Sequence, residues 1–204
     1  MFILTSAKGG CGVSVCAAAI ALAHDAVLVD LAGDQPAILG IDASDQPTLD
    51  DWVTSPTPHT LPEADPCRLI PMGDHQPANN DHAAWQQRAD ALNALGHRVV
   101  VDAGTAPIPA PLQAAASATV AVIRPCYLAL RRWYREGRTC DGVIVVGEPG
   151  RALSVDDVVR CIGAPLLAHV PWDPTIARAV DAGLLATRQP RALSTLHTLV
   201  IDQP

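Results

Sequence analysis

Short runs of β-branched and aliphatic residues alternate with longer segments rich in alanine and leucine, and this alternation constrains the fold more than any other feature. The short runs have the length of buried strands, and the longer segments have the length of helices that cross between parallel strands. The alternation therefore predicts an α/β fold, a three-layer sandwich with a mostly parallel, twisted sheet and helices on both faces. The predicted strands are Phe2–Thr5, Ala26–Leu31, Arg68–Pro71, Arg98–Asp102, Thr119–Arg124, Gly142–Val146 and Pro165–Val170, and the predicted helices are Val13–Ala23, Asp81–Leu95, Leu128–Gly137, Val155–Ile162 and Pro174–Leu185.

The composition is that of one compact unit. Of 204 residues, 49% are hydrophobic and only 17% are charged, which is enough to bury one substantial core. The polar stretches Asp42–Pro66 and Met72–Asp81 are typical of surface connections and are too short to separate two domains. We therefore predict a single domain over residues 1–204.

The sequence carries no sign of export or of membrane insertion. The apolar start Met1–Leu4 is too short for the core of a signal peptide, and Lys8 follows it rather than preceding it. No apolar run approaches the length that spans a bilayer. Six cysteines are scattered without a C-x-x-C pair, which does not favour a metal cluster. We expect a cytoplasmic protein.

A glycine-rich segment lies between the first predicted strand and the first predicted helix. It contains Lys8, Gly9, Gly10, Cys11 and Gly12, and is followed by Val13 and Ser14. Glycines let successive backbone N–H groups converge on an anion, and a helix N-terminus adds partial positive charge. Lys8 is the only lysine of the chain, and the Ser14 hydroxyl is placed to bind a phosphate-held Mg²⁺ ion. We predict a phosphate-binding loop; an ordinary strand-to-helix turn is the alternative.

Two aspartates follow predicted strands. We predict that Asp102 holds Mg²⁺ through a water molecule and that Asp30 orients an attacking water. Asp34 competes with Asp30 for that role. Roles as turn or helix-capping residues are the alternative for both aspartates.

Residues Lys8–Ser14 resemble the deviant Walker A motif, K-G-G-x-G-K-S/T, of the ParA/MinD superfamily of P-loop NTPases, which belongs to the SIMIBI type. The resemblance continues through Ala26–Asp30, the Walker B-like Arg98–Asp102 and Pro165–Asp173. It implies that ATP or ADP binds with Mg²⁺ and that Lys8 is the signature lysine, which reaches across a homodimer formed around the nucleotide. It also implies that Pro171 contributes to the base platform; a proline-bounded turn before a helix that starts at Pro174 is the alternative.

The sequence departs from the family pattern at several positions. Val13 stands where the family has its ordinary P-loop lysine, Ala7 replaces a common glycine, and Ala32 stands where the family often has a second aspartate. Losing a positive charge from a phosphoryl-transfer site weakens transition-state stabilisation. The resemblance then implies an ATP-dependent dimeric switch in chromosome partitioning, cell division or subcellular positioning, with weak or absent hydrolysis. A non-hydrolysing localisation scaffold for a polar pilus or secretion machine, and a metabolic ligase of the same superfamily, remain open.

Arginines are concentrated between residues 124 and 138. On a helix, Arg131, Arg135 and Arg138 would share one face and contact DNA phosphates non-specifically. A solvated face or a dimer contact is the alternative.

The C-terminal segment Arg191–Ile201 has apolar residues at helical spacing and few cations. It is predicted to pack against the sheet, and membrane contact is not expected. The sequence does not identify a protein partner or cargo.

Overall fold

The computed structural model describes residues 1–55, 67–73 and 76–201. Residues 56–66 and 74–75 of the two predicted polar connections, and the C-terminal residues 202–204, lie outside the described residues. The strands are β1 (Phe2–Thr5), β2 (Val27–Asp30), β3 (Leu69–Ile70), β4 (Val99–Asp102), β5 (Ala118–Ile123), β6 (Gly142–Val146) and β7 (Leu166–Val170). The helices are α1 (Val13–Ala23), α2 (Gln35–Leu39), α3 (Leu49–Thr54), α4 (His82–Asn93), α5 (Ala110–Ala114), α6 (Tyr127–Arg135), α7 (Val155–Ile162), α8 (Pro174–Asp181) and a 3₁₀ helix, Arg191–Leu196.

The seven strands form one sheet in the order β3-β2-β4-β1-β5-β6-β7, and every pair is parallel. The chain runs from β1 towards one edge and, after β4, returns past β1 towards the other edge. The connections therefore change direction beside β1, and in such sheets the ligand crevice lies at the carboxyl ends of the strands at this point. The glycine-rich segment follows β1 at that end.

Side chains alternate between the two faces of the sheet. Leu4 of β1 packs with Ile20 of α1, Ala179 of α8 and the C-terminal Leu193 and Leu196 on one face. The other face carries two clusters: Ile3 of β1 packs with Trp85 of α4 in the first, and β5 and β6 pack against Trp133 of α6 in the second. The predicted three-layer α/β fold is confirmed.

The C-terminal segment packs as predicted but has a different helix type. Leu193 and Leu196 are fully buried, and Leu199 and Ile201 are nearly so. The helical part is a 3₁₀ turn rather than an α-helix.

Two short helices, α2 and α5, were not predicted. The start of α2 does carry a signal, because Asp34 is its N-cap and a proline stands in its first turn. Five residues give too short a pattern for helical periodicity.

Candidate functional site

The glycine-rich loop turns the chain from β1 directly into α1. Gly10 and Gly12 adopt left-handed backbone conformations, with φ of 75° and 95°, which favour glycine. Gly12 is the N-cap of α1 and has no side chain to cap the helix. Since the first N–H groups of a helix lack intrahelical partners, these donors remain available at the loop.

A cavity of about 440 Å³ opens over this loop. Lys8 is the one basic side chain among its described lining residues, and its Nζ donates to the carbonyl oxygen of Gly9 at 3.1 Å. The loop residues that line the cavity are Lys8, Gly9, Gly10, Cys11, Gly12, Val13 and Ser14. The arrangement offers backbone amides, a helix N-terminus and one mobile cation to an anion.

Val13, at the position where the motif has a lysine, provides no positive charge. It is 6% exposed and packs in the core cluster beneath α1. The cavity wall therefore contributes an apolar surface at this position.

Asp30 has no exposed surface, and both of its carboxylate oxygens accept backbone hydrogen bonds. The N–H groups of Ala32 and Gly33 donate to Oδ1 at 2.9 and 2.7 Å, and that of Gln35 donates to Oδ2 at 2.9 Å. The carboxylate thus shapes the turn between β2 and α2. This is the turn role that stood as the alternative to orienting water.

Asp102 lies beside Asp30 in the sheet register and is equally buried. Its Oδ1 accepts the Gly104 N–H at 3.0 Å, and its Oδ2 accepts the Gln35 side-chain amide at 2.8 Å. The Ser14 side chain lies close enough to this carboxylate to lower its pKa. Asp102 and Ser14 therefore lie near each other at the carboxyl end of the sheet.

Burial raises the pKa of both aspartates above the ordinary value. For Asp30 the backbone N–H donors oppose this rise in pKa, and for Asp102 the Ser14 and Gln35 side chains do so. The negative charge of Asp30 also raises the pKa of Asp102, and that of Asp34 raises the pKa of Asp30.

Gln35 joins these elements and was missed in the sequence. It is fully buried, and its Nε2 donates to the backbone oxygen of Ser14 at 2.9 Å as well as to Asp102. It therefore connects α1, β4 and the turn after β2. Its position in a polar Asp-Gln-Pro turn gave no indication of burial.

Asp34 is the one acidic side chain among the described residues that line the cavity. It is exposed, and it makes no capping hydrogen bond to α2. Of the two competitors after β2, Asp34 faces the cavity and Asp30 supports the turn behind it.

A second cavity, of about 290 Å³, adjoins the first, since Gly10, Gly12 and Val15 line both. Its wall is largely apolar and includes Pro171 and the half-exposed Trp172. The two cavities thus form one groove, and Pro171 and the glycine-rich loop both line it.

The prediction that three arginines share one helix face is wrong for Arg138. Helix α6 ends at Arg135, Gly137 has φ of 61°, and the chain turns so that Arg138 points inward. Its guanidinium donates to the Thr5 hydroxyl at 3.1 Å, to the Ser6 carbonyl at 3.0 Å and to the Thr105 carbonyl at 2.6 Å. It ties the start of the loop to the segment after Asp102, and it does not share the exposed face of Arg131 and Arg135.

The described residues contain no group of three or more His, Cys, Asp or Glu side chains that would hold a metal ion by themselves. None of their helices is both long enough and apolar enough to span a membrane.

No model of a known protein family matches the sequence, and no curated protein matches it. Solved structures do match. The MinD cell division protein of Aquifex aeolicus has a TM-score of 0.73 and 20% identity, over 96% of this chain and 93% of that one. A ParA family ATPase of Chlorobium tepidum has a TM-score of 0.71 and 18% identity, over 96% and 95%.

The septum site-determining protein MinD of Pyrococcus horikoshii, complexed with Mg-ADP, has a TM-score of 0.67 and 14% identity, over 96% of this chain and 92% of that one. At these identities the likeness is one of fold. The chain has the three-layer fold of the MinD and ParA ATPases over nearly its whole length.

Proposed function

We propose that this chain is a ParA/MinD-like nucleotide-binding protein, one domain over residues 1–204, that binds ATP or ADP with Mg²⁺ in the two adjoining cavities. The observation that carries this proposal is the continuity of the glycine-lined cavity with the apolar one through Gly10 and Gly12. The first offers amides and Lys8 to phosphates, and the second offers an apolar wall, with Pro171, to a base.

The residues present fit a Mg²⁺ ion. A hydroxyl, water molecules and phosphate oxygens are the ligands that Mg²⁺ prefers, and Ser14 with Asp102 behind it would hold the ion. The ion would supply charge neutralisation for the phosphates. The chain's own part is to hold Asp102 and the backbone of Ser14 together through the Gln35 side chain.

We further propose that the protein acts as a homodimer around the nucleotide, in which Lys8 of each copy reaches across to contact the phosphates. This dimer would act in DNA partitioning or subcellular positioning in the cytoplasm. Hydrolysis is weak or absent in this proposal. Lys8 is the one cation among the described residues lining the cavity, Val13 is buried, and Asp30 is occupied by backbone N–H groups. These observations also favour the second candidate, a localisation scaffold that binds nucleotide without turnover.

Titration of ATP and ADP, with and without Mg²⁺, tests the binding step, and phosphate release tests turnover. We expect Lys8→Ala to weaken ATP binding at least about tenfold, since a charge contact with a phosphate is lost. Arg160→Ala, which removes an exposed charge on α7, is the control and should change nothing.

The outcomes separate the two candidates. Turnover that Lys8→Ala abolishes would exclude the scaffold. Binding with no turnover would exclude a switch driven by even weak hydrolysis of its own and would leave the scaffold. If titration detects no nucleotide binding and light scattering detects no dimer, the proposal fails as a whole.

A further inference from the structure

Helix α6 exposes a continuous face of six side chains. At 100° per residue these positions cover about half of the helix circumference, and the buried Ala129 and Trp133 lie opposite. Tyr127 is 72% exposed and Tyr134 is 86% exposed, and they are the two tyrosines of the chain. The members of this α6 face are Tyr127, Leu128, Arg131, Arg132, Tyr134 and Arg135.

The three arginines of the α6 face have no acidic partner among the described residues. Elsewhere, six arginines are each paired with an aspartate or glutamate, namely Arg68, Arg88, Arg124, Arg138, Arg151 and Arg160. Four others have no ion pair among the described residues, but they do not share one helix face with aromatic side chains; they are Arg98, Arg178, Arg188 and Arg191. The face therefore presents three uncompensated positive charges on a chain whose formal net charge is -7. An approaching group of negative charge is attracted here and repelled by the chain as a whole.

The aromatic side chains distinguish this face from an ordinary solvated helix surface. A face that only keeps a helix in water gains nothing from two tyrosines and a leucine that remain in solvent. Tyrosine and arginine are also the residues that carry most binding energy at protein interfaces. The combination of guanidinium, aromatic and aliphatic groups on this face thus fits a partner with both carboxylates and apolar side chains.

A nucleic acid duplex fits the same face less well. Binding to phosphates alone uses charge and leaves the tyrosines and Leu128 without apolar contacts. Arg138, which would have extended the charged row by one turn, is bound to backbone oxygens inside the fold.

We propose that the α6 face is a docking surface for an acidic, amphipathic segment of a partner protein. Carboxylates of the segment pair with Arg131 and Arg135, and its apolar side chains cover Tyr134 and Leu128. None of its members is among the described lining residues of the two nucleotide cavities, and the inference does not depend on nucleotide binding.

Fluorescence anisotropy with three labelled probes tests the proposal. The probes are a short helical peptide with glutamates on one side and leucines beside them, a peptide of equal charge with the leucines replaced by glutamine, and a duplex DNA of random sequence. We expect the amphipathic peptide to bind at physiological salt about tenfold more tightly than the other two.

Variants then locate the binding. The double variant Arg131→Ala/Arg135→Ala and the single variant Tyr134→Ser should each weaken the amphipathic peptide about tenfold. The double variant Arg188→Ala/Arg191→Ala removes the same charge from exposed positions elsewhere and should leave binding unchanged. Because all five positions are exposed, thermal melting should show that each variant is folded.

Three results would overturn the inference. The first is DNA binding that exceeds peptide binding and is lost in the Arg131→Ala/Arg135→Ala variant. The second is peptide binding that is insensitive to Tyr134→Ser, or that is weakened equally in the Arg188→Ala/Arg191→Ala variant. The third is no binding of the amphipathic peptide at low salt, where charge attraction is strongest.

Discussion

Replacing Arg138 with alanine should destabilise the protein far more than its place after a surface helix suggests. The Arg138 side chain is only 12% exposed. Its guanidinium bridges Thr5 and Ser6 at the start of the phosphate-binding loop to Thr105, and its Nε donates to Glu136. The variant leaves two backbone carbonyls and one hydroxyl without these donors.

The magnitude follows from the three bonds of 3.1 Å or shorter to Thr5, Ser6 and Thr105. A net loss of about 1 kcal/mol for each, allowing for partial replacement by water, gives about 3 kcal/mol in the free energy of unfolding. For a chain of this size, each kcal/mol lowers Tm by about 2–4 °C, so the expected shift is about 6–12 °C. Arg138→Lys should lose most of this stability as well, because one ammonium cannot reach acceptors on three sides.

Thermal unfolding followed by circular dichroism measures the effect, and Arg135→Ala is the matched control. Arg135 is exposed at the end of α6 and has no ion pair among the described residues, so its removal should cost no more than about 0.5 kcal/mol. Because Thr105 lines the cavity, Arg138→Ala should also weaken nucleotide binding. Equal melting temperatures for the Arg138→Ala and Arg135→Ala variants would refute the reasoning.

Three further predictions concern the cavity and the buried aspartates. In an equilibrium titration, Val13→Lys should bind ATP about tenfold more tightly than Val13→Met, a variant of similar size without the charge. Equal affinities of the two variants would show that a cation at this position does not reach the phosphates. Asp34→Asn should bind ATP a few-fold more tightly in the absence of Mg²⁺, because an exposed carboxylate no longer repels the phosphates; an unchanged affinity in EDTA would contradict this. The Asp102→Asn variant should become more stable relative to the wild type as pH rises above 3.8. The reason is that a carboxyl with a raised pKa binds its proton more tightly in the folded state, so that its ionisation lowers the stability of the wild type. Urea midpoints of the two proteins that keep a constant difference between about pH 4 and 7 would contradict this.

The sequence predicted the central part of this fold well. Strands buried on both faces appear as short apolar runs, and the loop after β1 contains the glycines that its two positive φ angles favour. These are local signals, and they need no knowledge of the neighbouring elements.

Features that depend on tertiary contacts were harder to predict. Gln35 and Arg138 are polar residues in turn-like sequence, and only packing shows that one is buried against Asp102 and the other against Thr105. The spacing of Arg138 from Arg131 indicated a common helix face, but α6 ends before the i+7 position is reached. Asp30 and Asp34 could not be distinguished from the sequence, because the difference lies in which carboxylate the backbone N–H groups occupy.

The position of the chain's only lysine also makes the site open to chemical labelling. The Nζ of Lys8 lies at the protein surface beside Gly9, and no other side chain carries a primary amine. An amine-reactive dye or crosslinker will therefore modify one side chain, in addition to the N-terminus, without any engineering of the protein. The rate of that acylation reports directly on whether the ammonium is held by a ligand, and a bifunctional reagent with short reach would join two copies only where their loops face each other.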